Sequence, residues 1–67
     1  MNFELTEEYI ELIKLLKLTG IAETGGMAKA LVENEEVLWN GQIDTRKRLK
    51  VRRGDVIEVL DKKITIS

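Results

Sequence analysis

The sequence predicts an α+β fold in which two helices pack on a small antiparallel sheet. Two segments with helical spacing of apolar residues come first, and short Val- and Ile-rich segments separated by turn signals follow. The chain has 67 residues and is 43% hydrophobic, which suits a small globular domain and is too apolar for a disordered chain. We therefore expect one domain that spans residues 1–67.

Both predicted helices begin at a threonine. Thr6 is expected to cap the first helix, which then runs to about Leu18. Its predicted apolar stripe consists of Tyr9, Leu12, Ile13 and Leu16. Thr24 is expected to cap the second helix, which opens with Gly25-Gly26 and ends near Asn34.

The strands are predicted from period-two patterns and from the turns between them. The predicted strands cover residues 1–5, 37–39, 46–53, 56–60 and 64–66. Asn40-Gly41 is a strong hairpin signal, because both residues tolerate a positive φ angle. A second hairpin is expected to turn at residues 61–63. Because the helices precede most of the strands, the order is typical of an α+β domain.

Charge is distributed unevenly along a chain whose net charge is only −1. Residues 1–44 carry three basic and nine acidic side chains, whereas residues 45–67 carry eight basic and three acidic ones. Six of the eight cations fall in residues 46–53, here called the basic segment, which contains no acid. Such asymmetry predicts a polyanion-binding surface on an otherwise acidic domain.

The basic segment alternates between apolar and cationic residues. Leu49 and Val51 share one face of the predicted strand and are expected to anchor it to the core. The cations of the opposite face are Arg46, Arg48, Lys50 and Arg52. Side chains on one face of a strand repeat about every 6.6 Å, so that these cations can follow successive phosphates of a nucleic-acid backbone. A solvated amphipathic strand would show the same alternation.

The start of the second predicted helix is another candidate anion site. Free backbone N–H groups at Gly25 and Gly26 suit an anion that approaches closely, and Lys29 lies one turn further on. An ordinary helix start capped by Thr24 contains the same residues, so the pattern alone leaves both interpretations open.

The three aromatic residues offer little for nucleic-acid stacking. Trp39 and Tyr9 can in principle stack on bases. Both occupy core-facing positions of their patterns, however, and we predict that they pack in the core. With Phe3 as the only other ring, extensive base stacking is not expected.

The composition argues against several classes of site. The chain has no cysteine and no histidine, which removes disulfides, thiolate metal sites and the commonest general base. Nothing in the sequence pairs a nucleophile with a base. We therefore predict a protein that is not an enzyme and that uses no metal, other cofactor or small-molecule substrate.

The sequence also predicts where the protein works. No apolar run approaches the roughly 18 residues that a membrane-spanning helix needs. The acidic N-terminal residues lack the apolar stretch of a signal peptide. We expect a cytoplasmic protein with no membrane partner.

Several short motifs together resemble a known family. Their order is Thr24-Gly25-Gly26-Met27-Ala28-Lys29, Val37-Leu38-Trp39-Asn40-Gly41, the basic segment and Gly54-Asp55-Val56-Ile57. This arrangement is similar to the RNA-binding domain first known from small-subunit ribosomal protein S-four, also called the alpha-L motif. The similarity is greatest to the short stand-alone bacterial members.

The resemblance implies a domain that grips structured RNA, often ribosomal or transfer RNA, with two helices and the following turn. Together with the charge pattern, it assigns RNA binding to Thr24, Gly25, Gly26, Lys29, Asn40, Arg46, Lys47, Arg48, Lys50 and Arg52. Two positions depart from the family, since Glu11 and Gly25 stand where arginine is common. The expected protein is a monomer whose partner is structured RNA, alone or in the ribosome.

Two other functions fit parts of the sequence. Acidic helices and a basic strand face can form a protein-interaction module, with residues 64–66 as an open sheet edge. A late strand after Gly54-Asp55 also occurs in ubiquitin-like sulfur carriers. Those proteins need a C-terminal Gly-Gly, whereas this sequence ends in Ile-Thr-Ile-Ser, which argues against that function.

Overall fold

Two helices and seven short strands make up the fold, which a computed structural model describes for residues 1–67. In chain order they are β1 (Asn2–Phe3), β2 (Ile10–Glu11), α1 (Leu12–Leu18), α2 (Gly25–Glu33), β3 (Val37–Trp39), β4 (Gln42–Ile43), β5 (Lys50–Val51), β6 (Val56–Val59) and β7 (Lys62–Ile66). The predicted α+β class is confirmed. Neither helix has the length and apolar composition to cross a membrane.

The strands form two sheets. Five of them lie in the order β1-β7-β6-β3-β4, and β2 pairs with β5 in a separate two-stranded ladder. All ladders are antiparallel except that of β1 with β7, which is parallel. The expectation of a purely antiparallel sheet is therefore wrong at this ladder. Because β7 lies between β1 and β6, the prediction that residues 64–66 form an open edge is also wrong.

The two hairpins of the larger sheet turn through residues with positive φ. Asn40 and Gly41 have φ angles of 50° and 88° and connect β3 to β4, which confirms the predicted turn. Leu60 and Asp61 have φ angles of 50° and 63° and connect β6 to β7. This second turn lies slightly earlier in the chain than predicted, and leucine is an unusual residue for its left-handed position.

The first helix is shorter than predicted. Residues Ile10 and Glu11 form a strand paired with Val51 and Lys50, and α1 begins only at Leu12. Glu11 has an extended backbone and gives no side-chain cap. The prediction of a helix capped by Thr6 is wrong, because the basic segment pairs with this stretch and satisfies its backbone groups.

The second helix agrees with its prediction. The hydroxyl of Thr24 accepts a hydrogen bond of 3.1 Å from the backbone N–H of Met27, and α2 ends at Glu33 with Asn34 as the C-cap. Ala28 and Val32 are fully buried, whereas Met27 is exposed.

The core contains apolar side chains only. Its buried members are Leu5, Ile10, Leu12, Leu15, Leu16, Ala22, Ala28, Val32, Val37, Leu49, Val51, Ile57, Val59, Ile64 and Ile66. Both sheets and both helices contribute to this one cluster. The predicted anchoring of the basic segment is confirmed, since Leu49 and Val51 belong to the core.

Candidate nucleic-acid interface

The basic segment is a loop followed by a short strand. Residues 46–48 lie in a loop and turn. A hydrogen bond of 3.3 Å from the backbone N–H of Leu49 to the carbonyl oxygen of Arg46 closes the turn. Only Lys50 and Val51 are paired as a strand. The prediction of a continuous strand over residues 46–53 is therefore wrong, although the apolar residues do point inward and the cations outward.

Four cations of the basic segment surround one surface concavity of about 550 Å³. Its lining consists of Trp39, Arg46, Arg48, Leu49, Lys50 and Arg52. The structure thus brings together the four cations that the alternating pattern assigned to one face. Lys47 does not line this concavity.

Arg46 is held in place by a neighbouring carboxylate and by a ring. Its Nη2 atom donates to Oδ2 of Asp44 at 2.6 Å, its Nε to both carboxylate oxygens at 3.1 Å, and its backbone N–H to Oδ1 at 2.8 Å. These side-chain hydrogen bonds hold the pKa of Asp44 below its usual range. The guanidinium also lies 5.6 Å from the ring centre of Trp39. The edge of the Arg46 guanidinium that Asp44 does not contact is therefore held in a defined orientation.

Three further cations of the basic segment pair with glutamates from earlier in the chain. The pairs are Lys47–Glu33 at 3.3 Å, Arg48–Glu11 at 3.3 Å and Arg52–Glu8 at 3.7 Å. The side chain of Arg48 remains 86% exposed. Because exposed ion pairs contribute only about 0–1 kcal/mol each, phosphate groups can replace these carboxylates at low cost.

Tyr9 lies beside the basic segment and outside the core. In the β2–β5 ladder the pair Ile10 and Val51 points inward, so that the neighbouring residues point outward. Tyr9 is 37% exposed, and its ring centre lies 4.9 Å from Nζ of Lys50 and 5.8 Å from the guanidinium carbon of Arg52. The prediction that Tyr9 packs in the core is wrong. The helical spacing between Tyr9 and Leu12 was coincidental. Only the register of the β2–β5 ladder shows that Tyr9 lies on the outward face.

Trp39 combines core packing with a place at the candidate interface. The side chain is half-buried and packs against the core cluster, as predicted. Another part of the ring lines the concavity beneath Arg46. Its Nε1 atom is buried and makes no hydrogen bond. The packing of Trp39 against the core was predicted from the sequence, whereas its contact with Arg46 was not.

Asn40 and Asp55 connect the β3–β4 turn to the end of the basic segment. Asn40 Oδ1 accepts from the backbone N–H of Val56 at 2.8 Å, and its Nδ2 donates to Asp55 Oδ1 at 3.2 Å. Asp55 Oδ2 accepts from the backbone N–H of Arg52 at 2.9 Å. Both polar atoms of the Asn40 side chain are thus used within the protein, where they position the segment that carries Arg52.

The same hydrogen bonds keep Asp55 charged. Its burial favours the neutral form, but the surrounding polar and charged groups together outweigh burial, with the hydrogen bond from the Arg52 backbone foremost, and the pKa of Asp55 lies below its usual range. The indole of Trp39 also favours the charged carboxylate, although Nε1 lies outside hydrogen-bond geometry with any acceptor. A charged Asp55 is therefore part of the folded state at neutral pH.

The lowered pKa values of Asp44 and Asp55 predict a loss of stability in acid. A carboxyl group with a lower pKa in the folded state stabilises the fold above its unfolded pKa of about 3.9. That contribution disappears as the pH falls through the folded value. In urea unfolding followed by circular dichroism, we expect a nearly constant free energy of unfolding between pH 7 and about pH 5 and a decrease below about pH 4.

The variant Asp55→Asn isolates one of these groups. It cannot titrate, so we expect it to be less stable than the natural chain at pH 7 and to lose less stability below pH 4. Equal acid losses in the two proteins would contradict the assignment of part of this pH dependence to Asp55.

The start of α2 forms a surface separate from the concavity. Gly26 and Lys29 are exposed, Lys29 makes no ion pair, and the Thr24 hydroxyl is used as the helix cap. None of these residues lines the concavity of the basic segment. A side chain at Gly25 would meet nothing within 4 Å, so packing within the protein does not explain the glycine.

Comparison with known proteins identifies the family. The sequence model of the S4 domain matches residues 3–67. The chain belongs to the S4 domain family.

Two relatives of this S4 domain match most of its length. The chain is 42% identical over 52 residues to a Bacillus subtilis protein named as the probable ribosome maturation protein RlbA. The aligned residues cover 78% of this chain and 73% of RlbA. The chain is 39% identical over 49 residues to Escherichia coli YbcJ, covering 73% of this chain and 70% of YbcJ.

A solved structure shares the fold of this S4 domain. The solution structure of Escherichia coli YbcJ matches 97% of this chain and 84% of its own with a TM-score of 0.73 and 31% identity. That structure is described as revealing an alpha-L motif involved in RNA binding. The predicted resemblance to the alpha-L motif is thereby confirmed.

Two residues of the S4 domain have roles that the family resemblance did not indicate. Glu11, which stands where arginine is common, lies in β2 and accepts hydrogen bonds from Arg48 at 3.3 and 3.4 Å. Arg53, the last cation of the basic segment, donates to the carbonyl oxygen of Leu5 at 2.7 Å in a partly buried position. Arg53 therefore holds the N-terminal segment.

Proposed function

We propose that this S4 domain is a non-enzymatic RNA-binding module that holds the backbone of structured RNA, with ribosomal or transfer RNA as the target class. The single observation that carries the proposal is the concavity around which Arg46, Arg48, Lys50 and Arg52 converge. Clustered cations with defined geometry are the main source of affinity for a phosphate backbone. We further propose that the domain acts as a monomer in the cytoplasm.

Arg46 is the proposed centre of the phosphate contact. Asp44 occupies its Nε and Nη2 atoms, which leaves Nη1 to donate to a phosphate oxygen. Lys50 forms no ion pair with a carboxylate and is available to RNA without displacing a partner. Arg48 and Arg52 exchange their exposed glutamates for phosphates.

The remaining predicted site residues are proposed to support this contact. The backbone N–H groups at Gly25 and Gly26, the capped helix start at Thr24 and the unpaired Lys29 offer a second anion contact on the same RNA. Lys47 lies next to Arg46 and Arg48 in the chain but outside the lining of the concavity, and it adds positive charge to the RNA contact. Asn40 acts through Asp55, by holding the backbone that carries Arg52.

The relatives support the same function. The name of RlbA refers to ribosome maturation, and the YbcJ structure is described by its RNA-binding motif. Both proteins are short relatives that this chain matches over more than two thirds of their length. Ribosomal RNA is therefore the first target to test.

Fluorescence-anisotropy titrations test the proposal. Labelled RNA probes comprise a structured ribosomal RNA fragment, a simple RNA duplex and a single-stranded RNA, each at two salt concentrations. Four to six phosphate contacts predict a slope of log affinity against log salt of about −3 to −5. We expect the structured RNA to bind most tightly. An absence of binding to every RNA at low salt would contradict the proposed function.

A further inference from the structure

We propose that the ring of Tyr9 is a stacking platform for one unpaired base of the bound RNA. This inference rests on the proposed function and adds to it the class of RNA that is recognised. Phosphate contacts alone read shape, whereas an exposed ring selects RNA that has a base free to leave its helix.

The first observation is the position of Tyr9 beside the cations. The ring lies 4.9 Å from Nζ of Lys50 and 5.8 Å from the guanidinium carbon of Arg52. Both cations also line the proposed phosphate-binding concavity. A nucleotide that stacks on Tyr9 therefore has cations within reach of its phosphates, as in other proteins that bind single-stranded nucleic acid.

The second observation is a further surface concavity that Tyr9 also lines. A second concavity of about 360 Å³ is lined by Glu7, Glu8, Tyr9, Ile10, Glu11 and Lys14. This volume lies within the range of about 300–1,000 Å³ that is usual for pockets holding small organic groups. Tyr9 thus lies next to two cations, also lines this space and remains 37% exposed.

Charge determines which part of a nucleotide enters each concavity. Three glutamates and one lysine line the space next to Tyr9, so that negative charge predominates there, whereas four cations line the other concavity. Carboxylates repel a phosphate but accept an uncharged base, and amino groups on the base edge can donate to them. The base therefore lies on the acidic side of Tyr9, and its phosphates lie with Lys50 and Arg52.

The ligand is consequently an RNA helix interrupted by an unpaired nucleotide. Bases inside an A-form helix are stacked on one another and their faces are covered, whereas those of bulges and loops can be splayed out onto an aromatic ring. The inference commits to this class of RNA and not to a particular sequence.

Two hairpins that differ by one nucleotide provide the test. One has a fully paired stem, and the other has the same stem interrupted by one unpaired adenosine. We expect the natural chain to bind the interrupted stem at least about fivefold more tightly, which is the lower end of the effect of one base–aromatic stack. Tyr9→Leu should abolish this preference, so that the two hairpins bind with equal affinity. Tyr9→Phe, which keeps the ring, should retain the preference.

Fluorescence of the RNA itself provides a readout that does not depend on the Leu variant folding. With 2-aminopurine at the unpaired position, stacking on the ring should quench its emission on binding to the natural chain and to Tyr9→Phe. Equal binding of both hairpins, or an unquenched 2-aminopurine in the bound state, would overturn the stacking inference and leave the proposed function standing. Failure of the natural chain to bind either hairpin at low salt would overturn both.

Discussion

The double variant Arg46→Glu, Arg48→Glu is expected to lose RNA binding while the domain stays folded. Both side chains line the proposed phosphate-binding concavity and are largely exposed, at 63% and 86%. Each replacement removes a charged hydrogen-bond donor and adds a repulsive carboxylate beside Asp44 or Glu11. Charged hydrogen bonds contribute about 1.5–3 kcal/mol each, so we expect affinity to fall at least about 100-fold.

The salt dependence checks that the lost contacts are made to phosphates. Removal of two contacts should reduce the slope of log affinity against log salt by about 1.4–1.8. Lys62→Glu, Lys63→Glu is the matched control, because it changes the net charge equally through two exposed cations of β7 that lie outside the concavity. We expect the control to weaken binding only slightly. Similar losses in the two double variants would show that net charge, and not the concavity, determines affinity.

Leu16→Ala is expected to remove a large share of the free energy of unfolding of this domain. Leu16 is completely buried in α1, and its carbonyl oxygen accepts a hydrogen bond of 3.0 Å from the backbone N–H of Ala22 in the connection to α2. Truncation of a buried leucine costs about 2–5 kcal/mol. A chain of this length has a total stability of about 3–10 kcal/mol, so the loss removes much of the margin.

Leu18→Ala is the matched control for this substitution. It makes the same chemical change at the end of the same helix, where the side chain is 60% exposed. Urea unfolding followed by circular dichroism should show a large decrease in the midpoint for Leu16→Ala and a change within about 0.5 kcal/mol for Leu18→Ala. Equal destabilisation by the two variants would contradict the packing of α1 against the core.

Local patterns predicted the features that depend on neighbouring residues. The Thr24 cap, the extent of α2 and the Asn40-Gly41 turn follow from short-range hydrogen bonds and from backbone angles that particular residues tolerate. The inward and outward faces of the basic segment around Leu49 and Val51 were also predicted. These preferences act within a few residues, so the sequence alone reveals them.

The part of the candidate site around the concavity was predicted as a set of cations. The sequence placed Arg46, Arg48, Lys50 and Arg52 on one face, and the structure brings all four to one concavity. The carboxylates that hold some of them come from positions far away in the chain or form no recognisable sequence pattern with them. The role of Asp44 in orienting Arg46 is an example, since an acid two residues before an arginine has no distinctive pattern.

The sequence by itself determined the composition of this domain, the asymmetry of its charge, its second helix and its family resemblance. Only the tertiary structure decided that β1 pairs in parallel with β7, that residues Ile10 and Glu11 form a strand with Lys50 and Val51, and that Tyr9 faces the cations. The physical reason is that strand pairing joins residues about 40 to 60 positions apart and that its register selects the outward face. The helical spacing of apolar residues in residues 9–16 is a local property, so it cannot predict which residues pair with a distant strand or which side chains face outward.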